Sequence, residues 1–123
     1  MSGRISTHVL DTVAGKPAAG VRIELYALEG GETAGAPASK PVAETITNED
    51  GRTDAPLLSG DEFTSGSYRI VFHAGAYHRA AGYADAGRFL ETVPIDFVVT
   101  DSTEGYHVPL LVTPWSYSTY RGS

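Results

Sequence analysis

The chain has 123 residues, 41% of them hydrophobic, with nine basic side chains against fifteen acidic ones and no cysteine. This length and apolar content suit one globular domain over 1–123, burying roughly two thirds of its unfolded surface without a staple. A formal charge of −6, with basic residues scattered from Arg4 to Arg121, argues against nucleic acid as a partner, and the lack of cysteine excludes disulfide and thiolate chemistry.

The first residues, Met1 to His8, lack the apolar run of a signal peptide, and no stretch approaches the ~18 apolar residues that span a bilayer. The expectation is a soluble, cytoplasmic protein with no membrane partner. Ile5-Ser-Thr-His-Val-Leu-Asp11 alternates as a strand, which puts Ser6, His8 and Leu10 on one side and Ile5, Thr7 and Val9 on the other. A turn cluster, Ala14 to Gly20, leads to a second strand over Val21–Leu28. Glu29–Pro41, rich in Gly, Ala and Pro without periodicity, reads as a mobile loop without chemistry. Asn48-Glu-Asp-Gly-Arg52 is a turn, after which Ser67–Phe72 resumes the two-residue period.

The Ala-rich segment Ala76–Asp85 is the one helix the sequence offers. His73 and His78, at its edge, have no carboxylate at ligand spacing and read as solvated rather than metal-binding. Val93–Val99 and Tyr106–Val112 are strands. In the latter, Tyr106, Val108, Leu110 and Val112 face the core. The opposite face, His107, Pro109 and Leu111, is also largely apolar, so a second subunit is expected to cover it. The sequence stops on Tyr120-Arg-Gly-Ser123. Termini normally fray, yet here a guanidinium, a hydroxyl and the α-carboxylate are gathered beside aromatics, a composition that suits a site.

By position alone, His8 and His107 read as structural strand histidines, Arg52 as a solvated turn residue and Arg121 as half of a surface ion pair. The phosphate-cradling loop, the G-x-S-x-G elbow and the H-E-x-x-H zinc motif are all absent from the sequence.

Three ordered segments change that weighting. Ile5-Ser-Thr-His-Val-Leu-Asp11 with Gly15-Lys-Pro-Ala18, Thr47-Asn-Glu-Asp-Gly-Arg52, and Tyr106-His-Val-Pro-Leu-Leu111 with Tyr117-Ser-Thr-Tyr-Arg-Gly-Ser123 resemble the motifs of the 5-hydroxyisourate hydrolases, transthyretin-related enzymes of purine degradation. Gly105 stands where that family usually has a first histidine, while His107 keeps the second. The resemblance implies an all-β, transthyretin-like two-sheet antiparallel sandwich of about eight strands with one short helix. It further implies a homotetramer, a dimer of dimers, with active sites in the channel between dimers. His8, Arg52 and His107 match the catalytic positions of that family, and Tyr120, Arg121, Gly122 and Ser123 match its substrate-binding tail; no metal or cofactor is implied.

The implied reaction adds water across the six-membered-ring amide of 5-hydroxyisourate. An imidazole near its ordinary pKa of about 6.5 can activate the water, and a planar guanidinium can hold developing negative charge. His107 suits the first role, His8 an orienting or proton-returning one, and Arg52 the second, with Tyr120 and Ser123 hydrogen-bonding the ring. Two alternatives use the same fold class: a non-catalytic carrier like transthyretin, which lacks this polar set, and an extracellular-type sandwich used for adhesion or for carbohydrate binding, with Trp115, Tyr117 and Tyr120 stacking on sugars.

Overall fold

The computed structural model describes residues 3–28 and 40–123. Among these, the order is β1 (Arg4–Asp11), β2 (Lys16–Pro17), β3 (Arg22–Leu28), β4 (Ala43–Ile46), β5 (Leu58–Ser59), a 3₁₀ turn (Gly60–Glu62), β6 (Gly66–Phe72), α1 (Ala74–Ala80), β7 (Val93–Val99), β8 (Gly105–Val112) and β9 (Tyr117–Thr119). The strands form two sheets, one ordered β2-β1-β8-β9 with β5 also on β1, the other β4-β3-β6-β7. The expected sandwich with one short helix is what the chain builds. Among the described residues every pairing is antiparallel except β1 with β8, which run parallel in register from Arg4 opposite Gly105 to Asp11 opposite Val112. The loop expected over 29–41 lies almost wholly outside the described residues.

The two-residue period decides what is buried. Ile5 and Val9 of β1, Ile23 and Leu25 of β3, Ile70 and Phe72 of β6, and Val108, Leu110 and Val112 of β8 all enter one core between the sheets. Each such side chain contributes roughly 1.5–3 kcal/mol relative to exposure. Thr7, also inward, satisfies its hydroxyl by donating to the Val108 carbonyl at 2.7 Å, a cross-link between β1 and β8. The opposite faces of both strands point away from this core, and Ser6, His8, Leu10, His107 and Leu111 there are half-buried.

Helix α1 starts two residues before the expected position and stops at Ala80. Gly82, with φ +87, takes the left-handed position that ends a helix, so the rest of the Ala-rich segment continues as turns. His78 corrects the expectation of a solvated residue: it is wholly buried, its ring between Tyr77 and Tyr83 at 5.3 and 5.5 Å between centroids. Burial lowers its pKa, against the opposing pull of Asp11. Asp11, at the end of β1, is the anchor of this corner. Its carboxylate accepts the Tyr77 hydroxyl at 2.7 Å, the Tyr83 hydroxyl at 2.8 Å, and the N–H groups of Val13 and Ala14 at 3.0 Å. Burial opposes its charge, but those donors outweigh burial and hold its carboxyl below the usual carboxylate value. His73 meets Glu24 at 3.2 Å instead of standing free in solvent. No helix among the described residues is long and apolar enough to cross a membrane.

Candidate active site

The parallel β1–β8 ladder sets the geometry of the outer face. Ser6 lies opposite His107 and His8 opposite Pro109, so the two histidines sit one step apart along adjacent strands and on the same side. Ser6 Oγ and His107 Nδ1 are 2.9 Å apart, a hydrogen bond spanning 101 residues of sequence.

Arg52 is delivered by the turn Asn48–Arg52. The Asn48 side-chain oxygen accepts the N–H groups of Asp50 at 2.9 Å and Arg52 at 3.2 Å, which closes the loop on itself. Gly51 then stitches it to the sheet: its carbonyl accepts the Val9 N–H at 2.8 Å, next to His8. Gly51 has φ +75, and a Cβ there would collide with the Val9 carbonyl oxygen, so glycine is required on both counts. The Asp-Gly-Arg sequence is thus a device for fixing a guanidinium beside β1.

Tyr120–Ser123 return from β9 across β8. The Gly122 N–H donates to the His107 carbonyl at 2.7 Å, and the pair forms an isolated antiparallel bridge. A Cβ on Gly122 would stand 2.6 Å from His107 Cδ2, so the imidazole lies directly against the glycine. Arg121 fastens the tail rather than reaching freely into solvent. Its guanidinium carbon sits 4.2 Å from the Tyr106 ring centroid, and Nη2 donates to the Gly105 carbonyl at 3.0 Å and to Glu104 at 3.1 Å. Gly105, where the resemblance leads one to expect histidine, contributes its carbonyl to that clamp.

Together these elements enclose an open cavity of about 470 Å³ lined by Arg4 and Ser6 of β1, Arg52, His107, and the tail Tyr120–Ser123. The structure therefore brings Arg52, His107, Tyr120, Arg121, Gly122 and Ser123 into one place. His8 adjoins it, near enough to feel the Arg52 charge and to act on His107, with Nε2 enclosed and without a hydrogen-bond partner among the described residues.

The cavity is lined by three arginines, with the Ser123 α-carboxylate as the one anionic group among its lining residues, inside a chain of formal charge −6. Among the described residues, Arg4 and Arg52 enter no ion pair. Burial, then the Arg52 charge, then His8, push the His107 pKa below its ordinary value. For His8, burial and Arg52 lower the pKa while the Asp50 backbone and carboxylate oppose them. Both shifts favour neutral imidazoles at neutral pH, the form that can accept a proton.

Two lining residues, Ser6 and Arg4, carry no local sequence signal of a place in the site. Ser6 was already on the face of His8, but nothing local marks it as opposite His107, because that depends on strand register. Arg4 lies one further alternation back, where β1 begins a residue earlier than the apolar pattern indicates.

A family model described as HIUase/Transthyretin family matches residues 5–122. The chain is 50% identical to 5-hydroxyisourate hydrolase 2 of Rhizobium meliloti over 99% of its own length and 98% of that protein's. It is 48% identical to the 5-hydroxyisourate hydrolase of Deinococcus radiodurans over the whole of both. Among solved structures, (S)-allantoin synthase superposes with a TM-score of 0.87 at 45% identity; 99% of this chain is covered, but only 44% of that protein. The 5-hydroxyisourate hydrolase of Klebsiella pneumoniae matches with a TM-score of 0.77 at 33% identity over 98% of this chain and 100% of that one. A sea bream transthyretin in complex with thyroxine gives 0.80 at 26% identity, covering 97% and 94%. With a model matched across nearly every residue and relatives near half identity over full length, this chain belongs to the HIUase/Transthyretin family.

Proposed function

We propose that this protein is a hydrolase that opens 5-hydroxyisourate to 2-oxo-4-hydroxy-4-carboxy-5-ureidoimidazoline in purine degradation. The observation that carries the reading is the meeting of a neutral imidazole, His107, with free guanidinium groups in one cationic cavity. Sandwich carriers need no such base, and the relatives of highest identity cited above bear the hydrolase name.

The chemistry follows from those groups. His107 takes a proton from water as its oxygen attacks the ring carbonyl carbon. Arg52, planar and bidentate, holds the oxyanion that forms, with Arg4 adding positive potential. When the carbon–nitrogen bond breaks, the departing nitrogen recovers a proton from the imidazolium, and the former carbonyl becomes a carboxylate, a product that the same guanidiniums suit. His8, adjoining the cavity from β1, is left the orienting role, while Tyr120 and Ser123 close the ring's edge. Arg121 acts by holding the tail through Tyr106, Gly105 and Glu104.

The whole sequence, 1–123, acts in this reading as one domain in a cytoplasmic homotetramer, a dimer of dimers. The half-buried apolar residues beside His107 and the open mouth of the cavity favour completion by a neighbouring copy. The test is the near-ultraviolet decay of freshly generated 5-hydroxyisourate with and without the protein. Acceleration, lost in His107→Ala, supports the assignment; an unchanged decay rate rejects it in favour of a carrier. Size measurement in solution decides the assembly.

A further inference from the structure

We infer that Ser6 is the positioning residue that sets the tautomer of His107, by accepting a hydrogen bond from Nδ1–H and leaving the Nε2 lone pair to face the cavity. The inference rests on the proposed base role of His107 and assigns the partner that makes that role possible.

Three observations on different elements converge. Ser6 Oγ lies 2.9 Å from His107 Nδ1 and has no other partner among the described residues, so the hydroxyl is committed to this ring. The ring cannot swing to another arrangement, because Gly122 packs against Cδ2 and its N–H holds the His107 carbonyl. Nε2 has no partner among the described residues and is not enclosed, which leaves it accessible from the cavity.

A hydroxyl can donate or accept, so geometry alone permits both tautomers. The charges around the ring choose between them. His107 is faced by Arg4 and His8 from β1 and by Arg52 from the turn, while Arg121 of the tail is paired with Glu104 and the tail's end, Ser123, brings its α-carboxylate to the same lining. Arg52, the largest charge acting on the ring, presents only donors and positive potential, which favours a lone pair on the nitrogen left open and the N–H on the nitrogen that already has a partner. The nitrogen that already has a partner is Nδ1, held by Ser6. Nε2 is then a base aimed into the cavity, while the bond to Ser6 strengthens as the ring becomes an imidazolium.

The test separates this inference from the assignment of function. Long-range ¹H–¹⁵N spectra of the labelled wild-type protein above neutral pH read the His107 tautomer directly, without substrate. Protonated Nδ1 with bare Nε2 is expected, and protonated Nε2 overturns the inference.

Ser6→Ala and Ser6→Thr supply the functional arm. S6A is expected to lower kcat roughly tenfold or more, the scale for losing a partner that orients an imidazole ligand or base, and S6T, which keeps the hydroxyl, to restore it. The pH profile then gives the sign. If Ser6 accepts, its bond favours the imidazolium, so S6A moves the acid limb to lower pH. An upward shift means that Ser6 donates, and an unmoved limb means that it has only a structural part; either result refutes the inference. Absence of turnover in the wild type would sink the proposed function, while the spectra would still decide the tautomer.

Discussion

Gly122→Ala isolates the contact between the tail and the imidazole. The added methyl would stand 2.6 Å from His107 Cδ2, 3.2 Å from Cγ and 3.3 Å from Cβ. Carbon atoms settle at about 3.5–4.0 Å, so the nearest contact lacks about 1 Å. The His107 backbone cannot supply it, being paired with Ser6 on one side and bonded to the Gly122 N–H at 2.7 Å on the other. Relief must come from turning the ring off Ser6 Oγ or from lifting the tail out of its bridge. Pushing a side chain some 30° off its rotamer costs about 0.5–1.5 kcal/mol, so the fold should persist with a melting point lowered by only a few degrees. Catalysis is far more sensitive, since a 1 Å misplacement of a reacting group costs on the order of 10²-fold. The measurement is kcat/KM for 5-hydroxyisourate beside a thermal melt, with Gly105→Ala as control, because a Cβ at Gly105 meets nothing within 4 Å. G122A turning over as fast as wild type would refute the claim that this glycine positions the ring; a G105A loss as large as that of G122A would show that the tail region tolerates no side chain for reasons unrelated to His107.

Arg52→Gln removes a charge that lowers the His107 pKa, so that pKa rises part of the way toward its ordinary value near 6.5, burial still holding it down, and the acid limb of kcat/KM moves to higher pH. Activity on the plateau should fall roughly 10²-fold with the lost oxyanion partner, and R52K should keep the limb in place without recovering the plateau; a static limb in R52Q would contradict the assigned electrostatics. Gly51→Ala forces a left-handed φ of +75 on a side chain that meets the Val9 carbonyl, so it should cost about 1–3 kcal/mol in denaturant unfolding and depress activity through Arg52. Tyr77→Phe deletes one hydroxyl donor to the buried Asp11 carboxylate, a loss of about 1.5–3 kcal/mol measurable by urea unfolding, with kcat unchanged because this corner lies outside the cavity.

Much of the sandwich was legible because alternation of apolar residues is a local signal: the core faces of β1 and β8 follow from counting by two from Ile5 and Tyr106. The limits of α1 were less so, since Ala residues after Gly82 have helical propensity that a positive φ at that glycine cancels. Burial of His78 was hidden because nothing adjacent in sequence announces that Tyr77, Tyr83 and Asp11 converge around it. In the candidate site, His107, Arg52 and the tail were named through motif resemblance, while Ser6 as partner and Arg4 as lining required the parallel register of β1 with β8. The role given to Arg121 shifted for a similar reason: its engagement with Tyr106, Gly105 and Glu104 is a tertiary fact that composition does not encode.

The pairing of β1 with β8 also governs when this molecule can come together. Among the described residues, strand β1 finds only short partners earlier in the chain than β8, two residues each from β2 and β5, whereas its eight-residue partner is synthesised about a hundred residues later. During translation, Ile5 and Val9 must therefore remain uncovered by that neighbour until nearly the whole polypeptide has emerged. Loop closure over such a span is slow relative to local contacts, which places the ordering of this crevice among the last folding events. Truncated nascent chains ending before β8 would carry the first histidine and the guanidinium turn yet expose an aggregation-prone edge, giving quality control a clear mark by which to tell unfinished molecules from complete ones.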